Sequence, residues 1–247
     1  VEEVHAAAPD LHVHAFSPQE VWQGARSLGV PLEDYLCRLR EAGLGSLPGT
    51  AAEILDDGVR RLICPGKIST ARWAEVVAAA HRVGLPTTAT IMFGHVDSPA
   101  SWARHLGVVR RIQQATGGFT EFVPLPFVHM EAPIFRQGRA RPGPTWDEVV
   151  AVHAAARLAL HGLVDNLQAS WVKLGLDGVA ALLRAGVNDL GGTLVEEEIS
   201  RSAGAAHGES MTPEALEGVI RGAGRVPATR TTLYEICLLY TSDAADE

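Results

Sequence analysis

The stretch LHVHAFSPQE, residues 11–20, sets two histidines one residue apart. Side chains alternate faces along a strand, so His12 and His14 share one. Two imidazoles on one face suit contact with a ligand, or half of a metal site. In PGTAAEIL, Pro48-Gly49 predicts a turn into a helix start, with backbone N–H groups free and Glu53 in the first turn. Such a carboxylate can hold an amine or serve the helix dipole. Lys67, in CPGKIS, can pair with a carboxylate. In TATIMFGHVDS, Thr90 and Met92 share a strand face, and Gly94-His95 turns out of it. Gln168 and Ser170 share a face at the end of DNLQAS, and Gly191-Gly192 permits close backbone approach ahead of TLVEEE. His129 and Glu131 begin a Pro/Gly-rich loop with Arg136, Arg139 and Arg141, read as a solvated loop rather than a lid. His81, His105, His153 and His161 fall in or at the ends of predicted helices, where they read as packing or surface residues.

These groups need strands to carry them and helices to space the strands. LHVHAF (11–16) reads as a strand, and SPQEVWQGARSLG opens a helix with Ser17 as cap, Pro18 first in the helix and Glu20 closing a capping box. A helical pattern over 31–43 stops at Gly43, and LGSLPG gives a short strand before a helix that runs through AAEILDDGVRRLI. Helix 69–84, strand 86–94 and helix 98–117 follow. TEFVPLPF (120–127) is a strand whose two prolines each remove a ladder donor, which predicts an edge or a strand end. Helix 145–162, capped by Thr145 with Glu148, leads to strand DNLQAS, helix VKLGLDGVAALLRAG, strand VNDLGG, helix TLVEEEISRSAG and a last helix over 212–224. About six alternations of strand and helix predict α/β architecture with parallel strands, a barrel or a doubly wound sheet. No Gly-x-Gly-x-x-Gly follows the early strands, which disfavours a dinucleotide fold. In a barrel the C-terminal strand ends build the site, and the polar residues above fall at those ends.

The chain has 247 residues, 47% of them hydrophobic, and a net charge of −8. That length suits one domain with a large core. Without a Lys/Arg-rich run it shows no nucleic-acid or membrane-surface footprint. No segment reaches the roughly 18 apolar residues of a membrane span. The opening VEEVHAAAPD has neither a basic start nor an apolar stretch, which is read as no leader and a cytoplasmic protein. Cys37, Cys64 and Cys237 lack metal-type spacing and read as reduced thiols. The final CLLYTSDAADE (237–247) matches the translation of a sequencing-library adapter. It is read as non-native, which leaves residues 1–236 as the domain.

LHVHAFSPQEV, EAGLGSLPGTAAEILDDGVR, ATIMFGHVDS, QASWVKLG and NDLGGTLVEEEISRSAGAAHGE together resemble the tyrosine-using half of FO synthase, a radical S-adenosylmethionine (SAM) family. The resemblance runs from about Leu11 to Tyr234. It implies a (β/α) TIM-type barrel in which a 4Fe-4S cluster cleaves SAM and the resulting radical attacks L-tyrosine. The tyrosine Cα–Cβ bond breaks, and the 4-hydroxybenzyl group joins 5-amino-6-(D-ribitylamino)uracil. A partner FO synthase subunit or half then closes the deazaflavin ring. The resemblance turns His12, His14, Glu53, Thr90 and His95 toward SAM or substrate. It gives Gln168 and Ser170 the ureide edge of the uracil, and Gly191 and Gly192 a ribityl or carboxylate group. Of the acidic run 196–198, Glu197 is the member that matches the family's glutamate.

One departure is large. The family holds its cluster in a Cys-x-x-x-Cys-x-x-Cys loop, and this sequence contains none. With LHVHAF as the third strand, the chain is read as strands three to eight of the barrel, a fragment inactive by itself. Radical SAM enzymes of the futalosine route to menaquinone share HAFSP and a Pro-Gly-x-x-Ala-Glu block, with glycine in place of Thr50, and stand as the alternative. HVH at a strand end also resembles metal ligation in barrel amidohydrolases. That class needs further ligands at later strand ends, where Ser170 and Gly191 stand.

Overall fold

Ser17 accepts from the Glu20 backbone N–H at 3.3 Å, and the Glu20 carboxylate accepts from the Ser17 N–H at 2.7 Å, so the predicted capping box forms. Thr145 and Glu148 repeat it at 3.3 and 2.8 Å. A computed structural model describes residues 1–193, 202 and 210–237. The elements in chain order are α1 (Glu2–Ala7), β1 (Val13–His14), α2 (Pro18–Leu28), α3 (Leu32–Glu41), β2 (Leu44–Ser46), α4 (Asp57–Ile63) and α5 (Thr70–Arg82). They continue with β3 (Thr87–Phe93), α6 (Pro99–Thr116), β4 (Phe119–Pro126), α7 (Pro133–Arg136), α8 (Trp146–Leu160), β5 (Asn166–Leu167), α9 (Trp171–Arg184) and α10 (Pro213–Gly222).

Among the described residues the five strands pair in sequence order and in parallel, and the antiparallel bridge Arg230–Ile236 lies outside them. β1 lies on β2 with His14 opposite Ser46, and a bridge from Leu47 to Thr87 carries the order on to β3. β3 pairs along its length with β4, from Thr87–Phe119 to Phe93–Pro126. β4 pairs with β5 through Glu121–Asn166 and Phe122–Leu167, and a bridge joins Gln168 to Asp189. A doubly wound sheet reverses its order about its first strand; the described pairings run one way only. The expected α/β class with parallel strands is what the chain adopts.

Three local expectations are corrected. Glu53 is not in a helix: residues 51–56 form an irregular loop, and the helix begins at Asp57 behind Asp56, whose carboxylate accepts from the Gly58 N–H at 3.0 Å. The helical periodicity of AAEILDD yields there to tertiary bonds described below. Of the two readings of the prolines in TEFVPLPF, the strand end holds and the edge does not: Pro126 is the last residue of β4, which lies between β3 and β5. Its Pro124 and Pro126 sit past the short β5 pairing, so no ladder donor is missed on that side. VNDLGG contributes a single bridge rather than a strand. The predicted helix TLVEEEISRSAG, Glu197 included, lies outside the described residues apart from Thr193 and Ser202.

Apolar burial divides the sheet into two unlike faces. Ala89, Ile91 and Phe93 of β3 and Phe122 of β4 are fully buried against Trp73, Val109, Val152 and Leu182 of the helices. Each such side chain contributes about 1.5–3 kcal/mol. A second cluster packs Leu44 and Leu47 between Val21, Leu36, Val76 and Leu85. The alternate residues of the same strands face the other way, and there polar Thr88, Thr90 and Glu121 stand among Met92, Val123 and Leu125.

Candidate active site

Register decides which polar residues are neighbours. Thr88, Thr90 and Met92 of β3 stand beside Glu121, Val123 and Leu125 of β4, and Asn166 of β5 stands beside Glu121. At the other end of the order His14 stands beside Ser46.

His12 and His14 do converge, and the group between them is one that sequence reasoning missed. The Ser46 hydroxyl lies 2.7 Å from His12 Nε2 and 2.6 Å from His14 Nδ1. Burial, then the neighbouring His12, lowers the His14 pKa from its ordinary value. A ring nitrogen beside a hydroxyl, as at His14, can accept or relay a proton. Ser46 had a signal in the sequence: LGS is a short strand in the same βα rhythm, and its serine is a polar residue set between the buried Leu44 and Leu47.

Thr90 is buried and donates through Oγ1 to the Gly49 carbonyl at 2.9 Å, while the Gly49 N–H donates to Thr88 Oγ1 at 2.8 Å. The Gly49 N–H is therefore not free for an anion, contrary to expectation. A Cβ at Gly49 would stand 2.1 Å from the Thr88 carbonyl oxygen, so only glycine admits this approach. Glu53 has φ +47° and pairs through its carboxylate with Lys67.

His95 is 1% exposed, and both ring nitrogens are engaged by backbone. Nε2 donates to the Met92 carbonyl at 3.1 Å and Nδ1 accepts from the Val96 N–H at 2.7 Å. Burial lowers its pKa and outweighs Asp97 beside it. Asp97 accepts from the N–H groups of Gly94 and His95 and from Trp102 Nε1. Burial opposes its charge, but these bonds hold its carboxyl below the ordinary range. The pair shapes the turn after β3.

Gln168 belongs to a second cluster. Its Nε2 donates to Glu121 Oε2 at 3.1 Å, and Tyr234 Oη donates to the same oxygen at 3.2 Å. Arg230 reaches Glu121 Oε1 at 3.4 Å, pairs with Asp189, and stacks 4.3 Å above the Tyr234 ring. Glu121 is 3% exposed; burial, then the charge of Asp189, raises its pKa to about 7 against the pull of Arg230. Burial likewise raises Tyr234 to about 12. Gly191 turns at φ +71° and donates to Asp189 Oδ1 at 2.6 Å, and a Cβ there would lie 3.2 Å from the Gln168 amide. The Gly192 carbonyl accepts from Trp171 Nε1 at 3.1 Å. Ser170 caps α9 by position, without a side-chain cap bond. Sequence reasoning missed Glu121, Asp189, Arg230 and Tyr234. A carboxylate inside the apolar strand TEFVPLPF was a usable signal; Arg230 and Tyr234 lie 109 and 113 residues from Glu121 and gave none.

The thiols do not suit an iron–sulfur cluster. Cys37 lies on α3, Cys64 follows α4 and Cys237 ends the described chain. Burial raises the Cys64 thiol, the reverse of a ligating thiolate. Among the described residues no group of three or more His, Cys, Asp or Glu could hold a metal ion.

The comparisons with known proteins agree with this parallel architecture. The chain is 54% identical over 95% of its length to the 5-amino-6-(D-ribitylamino)uracil–L-tyrosine 4-hydroxyphenyl transferase of Methanothermobacter thermautotrophicus, of which it covers 64%. It is 53% identical over 95% of its length to the FO synthase of Nocardia farcinica, of which it covers 27%. The chain thus spans less than two thirds of the length of these relatives. Its fold is similar to the crystal structure of methylornithine synthase (PylB), with a TM-score of 0.56 and 17% identity, over 86% of this chain and 63% of that one. A family model matches residues 116–242, a stretch that takes in β4, β5, the Gln168–Gly191 turn and the Arg230–Tyr234 segment. The chain therefore belongs to the family described as the CofH/MqnC C-terminal region.

Proposed function

We propose that this chain is the C-terminal part of a radical SAM transferase that joins the 4-hydroxybenzyl group of L-tyrosine to 5-amino-6-(D-ribitylamino)uracil. The observation that carries the reading is 54% identity, over 95% of the chain, to the transferase of that name. The His12–His14–Ser46 and Gln168–Glu121 clusters support it, since they offer hydrogen-bonding groups for a polar, nitrogen-rich substrate. The consecutive parallel strands are units three to eight of a (β/α) barrel on this reading. His12, His14 and Ser46 face substrate or SAM from one side. Gln168 and Ser170 meet the ureide edge of the uracil, Gly191 and Gly192 the ribityl chain, and Glu197 completes the set. Thr90 and His95 act by shaping the Gly49 loop and the turn after β3, consistent with their engaged polar atoms.

In the parent enzyme a 4Fe-4S cluster and SAM supply the radical. The residues present do not fit the cluster, so the chain alone is inactive and the reaction requires a cluster-bearing segment. A ring-closing FO synthase subunit or half is the partner, and the cytoplasm the compartment. No described helix is long and apolar enough to cross a membrane. The family description also takes in MqnC, which keeps the menaquinone-route enzyme as second reading. The test fuses the cluster-bearing segment of the Methanothermobacter relative ahead of this chain and supplies SAM, L-tyrosine and the aminouracil without oxygen. The expected product is the 4-hydroxybenzyl adduct, detected by mass spectrometry. SAM cleavage without the adduct overturns the reading.

A further inference from the structure

Among the described residues, four that are not glycine hold a left-handed backbone: Phe16 at φ +64°, Ala51, Glu53 and Tyr234. Three of them are committed within the chain. The Ala51 carbonyl accepts from Arg60 at 3.2 Å, Glu53 pairs with Lys67, and Tyr234 Oη donates to Glu121 at 3.2 Å. Phe16 is the exception. A bulky residue at positive φ is strained, and such strain persists only where the surroundings over-determine it. Here they do so from both sides. The Ala15 N–H donates to the Ser46 carbonyl at 3.1 Å, and the Ser17 N–H donates to the Glu20 carboxylate at 2.7 Å. The Val21 N–H closes the first turn on the Ser17 carbonyl at 3.0 Å. The chain therefore passes from β1 to α2 through a fixed corner, and Phe16 is that corner.

Two ordinary uses of the ring are not made. An apolar residue just ahead of a helix cap commonly staples to the fourth helical residue, here Val21. Val21 is 1% exposed, in the cluster of Leu36, Leu44 and Leu47, whereas Phe16 is 37% exposed and is a member of neither apolar cluster. Nor does its ring meet another ring or a guanidinium among the described residues. A strained backbone thus holds an uncovered ring at the C-terminal end of β1, the end at which barrels build their sites. Ser46, whose carbonyl fixes Ala15, is also the residue whose hydroxyl meets His12 and His14. A flat apolar surface and hydrogen-bonding groups therefore leave the same strand end.

We propose that Phe16 is a stacking residue for the planar ring of a bound small molecule, kept uncovered for it by the corner between β1 and α2. Aromatic rings prefer offset-stacked or edge-to-face contact, which a fixed ring offers without losing side-chain freedom on binding. This rests on the function proposed above, which supplies three planar rings: the phenol of L-tyrosine, the uracil and the adenine of SAM.

Saturation-transfer NMR titrations on the 247-residue chain test it with L-tyrosine, the aminouracil and adenosine, each against a counterpart without the ring: L-alanine, ribitol and ribose. The expected result is saturation of at least one ring, with the responding ring identifying the ligand. Phe16→Leu keeps apolar bulk without a ring face and should weaken that ligand about three- to tenfold. Phe16→Tyr keeps the ring and should bind as the unaltered chain does. Phe16→Asn suits the left-handed backbone and should lose the ring ligand while the thermal midpoint stays level or rises. A midpoint lowered by more than about 4 °C in Phe16→Asn assigns the ring to packing and overturns the proposal. So does the absence of ring saturation in the unaltered chain, affinity unmoved in Phe16→Leu, or a loss in Phe16→Tyr as large as in Phe16→Leu. The fused enzyme separates this role from the transferase. Ring binding that depends on Phe16 without adduct overturns the transferase alone, whereas adduct formation with KM for all three ligands unchanged in Phe16→Leu overturns the stacking role alone.

Discussion

Ser46 shows how much one hydroxyl can organise. Two imidazoles meet it, His14 of β1 and His12 just ahead of that strand, each through one ring nitrogen. Replacing it with alanine leaves two half-buried ring nitrogens to water. Ser46→Ala should lower unfolding free energy by about 1–2 kcal/mol in urea titrations. It should also raise KM in the fused enzyme if these histidines face the ligand. Glu121 is the harder case. A carboxylate this buried persists because Arg230, Tyr234 and Gln168 all donate to it. Arg230→Met removes the cation between Glu121 and Asp189 and should cost about 2 kcal/mol at pH 8, a value reduced from that of a fully buried pair because Arg230 is partly exposed. The loss should shrink at pH 5, where Glu121 takes up a proton. Equal losses at both pH values would show that stacking on Tyr234, not charge, is what Arg230 contributes.

At the scale of elements, β3 and the Gly49 loop form one unit. Strand β3 buries Ala89, Ile91 and Phe93 on one side and turns Thr88 and Thr90 to the loop on the other. The loop approaches so closely that a methyl group has nowhere to go but into the strand backbone. Gly49→Ala should therefore cost about 3 kcal/mol or more in thermal denaturation, because backbone cannot step aside. Thr90→Val keeps the volume and deletes only the donor to the Gly49 carbonyl. Its cost should be about 1–2 kcal/mol. If the two variants cost the same, the loop is held by its bonds and not by the close approach.

The whole molecule couples these groups to pH with opposing signs. Burial lowers His81 and His153 to about 4 and His105 to about 3. The unfolded chain then binds more protons than the fold below the ordinary histidine value of 6.5, and stability falls as pH drops from there toward 4. Glu121 acts in reverse. Its pKa rises from 4.5 to about 7, so the fold binds the extra proton and stability is lost as pH rises through that window. These three histidines, with His14 and His95 lowered in the same sense, outweigh one carboxylate and leave a net gain of stability with rising pH. Glu121→Gln should steepen that slope by up to one proton, about 1.4 kcal/mol per pH unit. His153→Leu should flatten it by a similar amount, since His153 Nε2 has no partner among the described residues. Urea unfolding at pH 5, 6 and 7 measures both. A slope unchanged in Glu121→Gln would mean that Arg230 keeps the carboxylate ionised throughout.

Much of this molecule was legible in its residues. The alternation of strand and helix, the capping boxes at Ser17 and Thr145 and the shared face of His12 and His14 follow from spacing alone, because periods of 2 and 3.6 are local properties of the backbone. The resemblance in HAFSP, PGTAAE and QAS led to the same family as the comparisons. Order, register and partners were decided elsewhere. AAEILDD carries a helical period, yet Arg60 and Met92 draw four of its carbonyls outward while Thr90 and Trp73 hold those of Gly49 and Thr50 just before it, and these bonds outweigh one turn of helix. The prolines of β4 read as an edge or a strand end, and only the tertiary structure decided for the end, since what matters is where β5 stops pairing. Arg230 and Tyr234 carry no local pattern, and only closure of a loop of more than a hundred residues brings them to Glu121. Local chemistry determined which residues could act; the long-range pairing of parallel strands decided which of them meet.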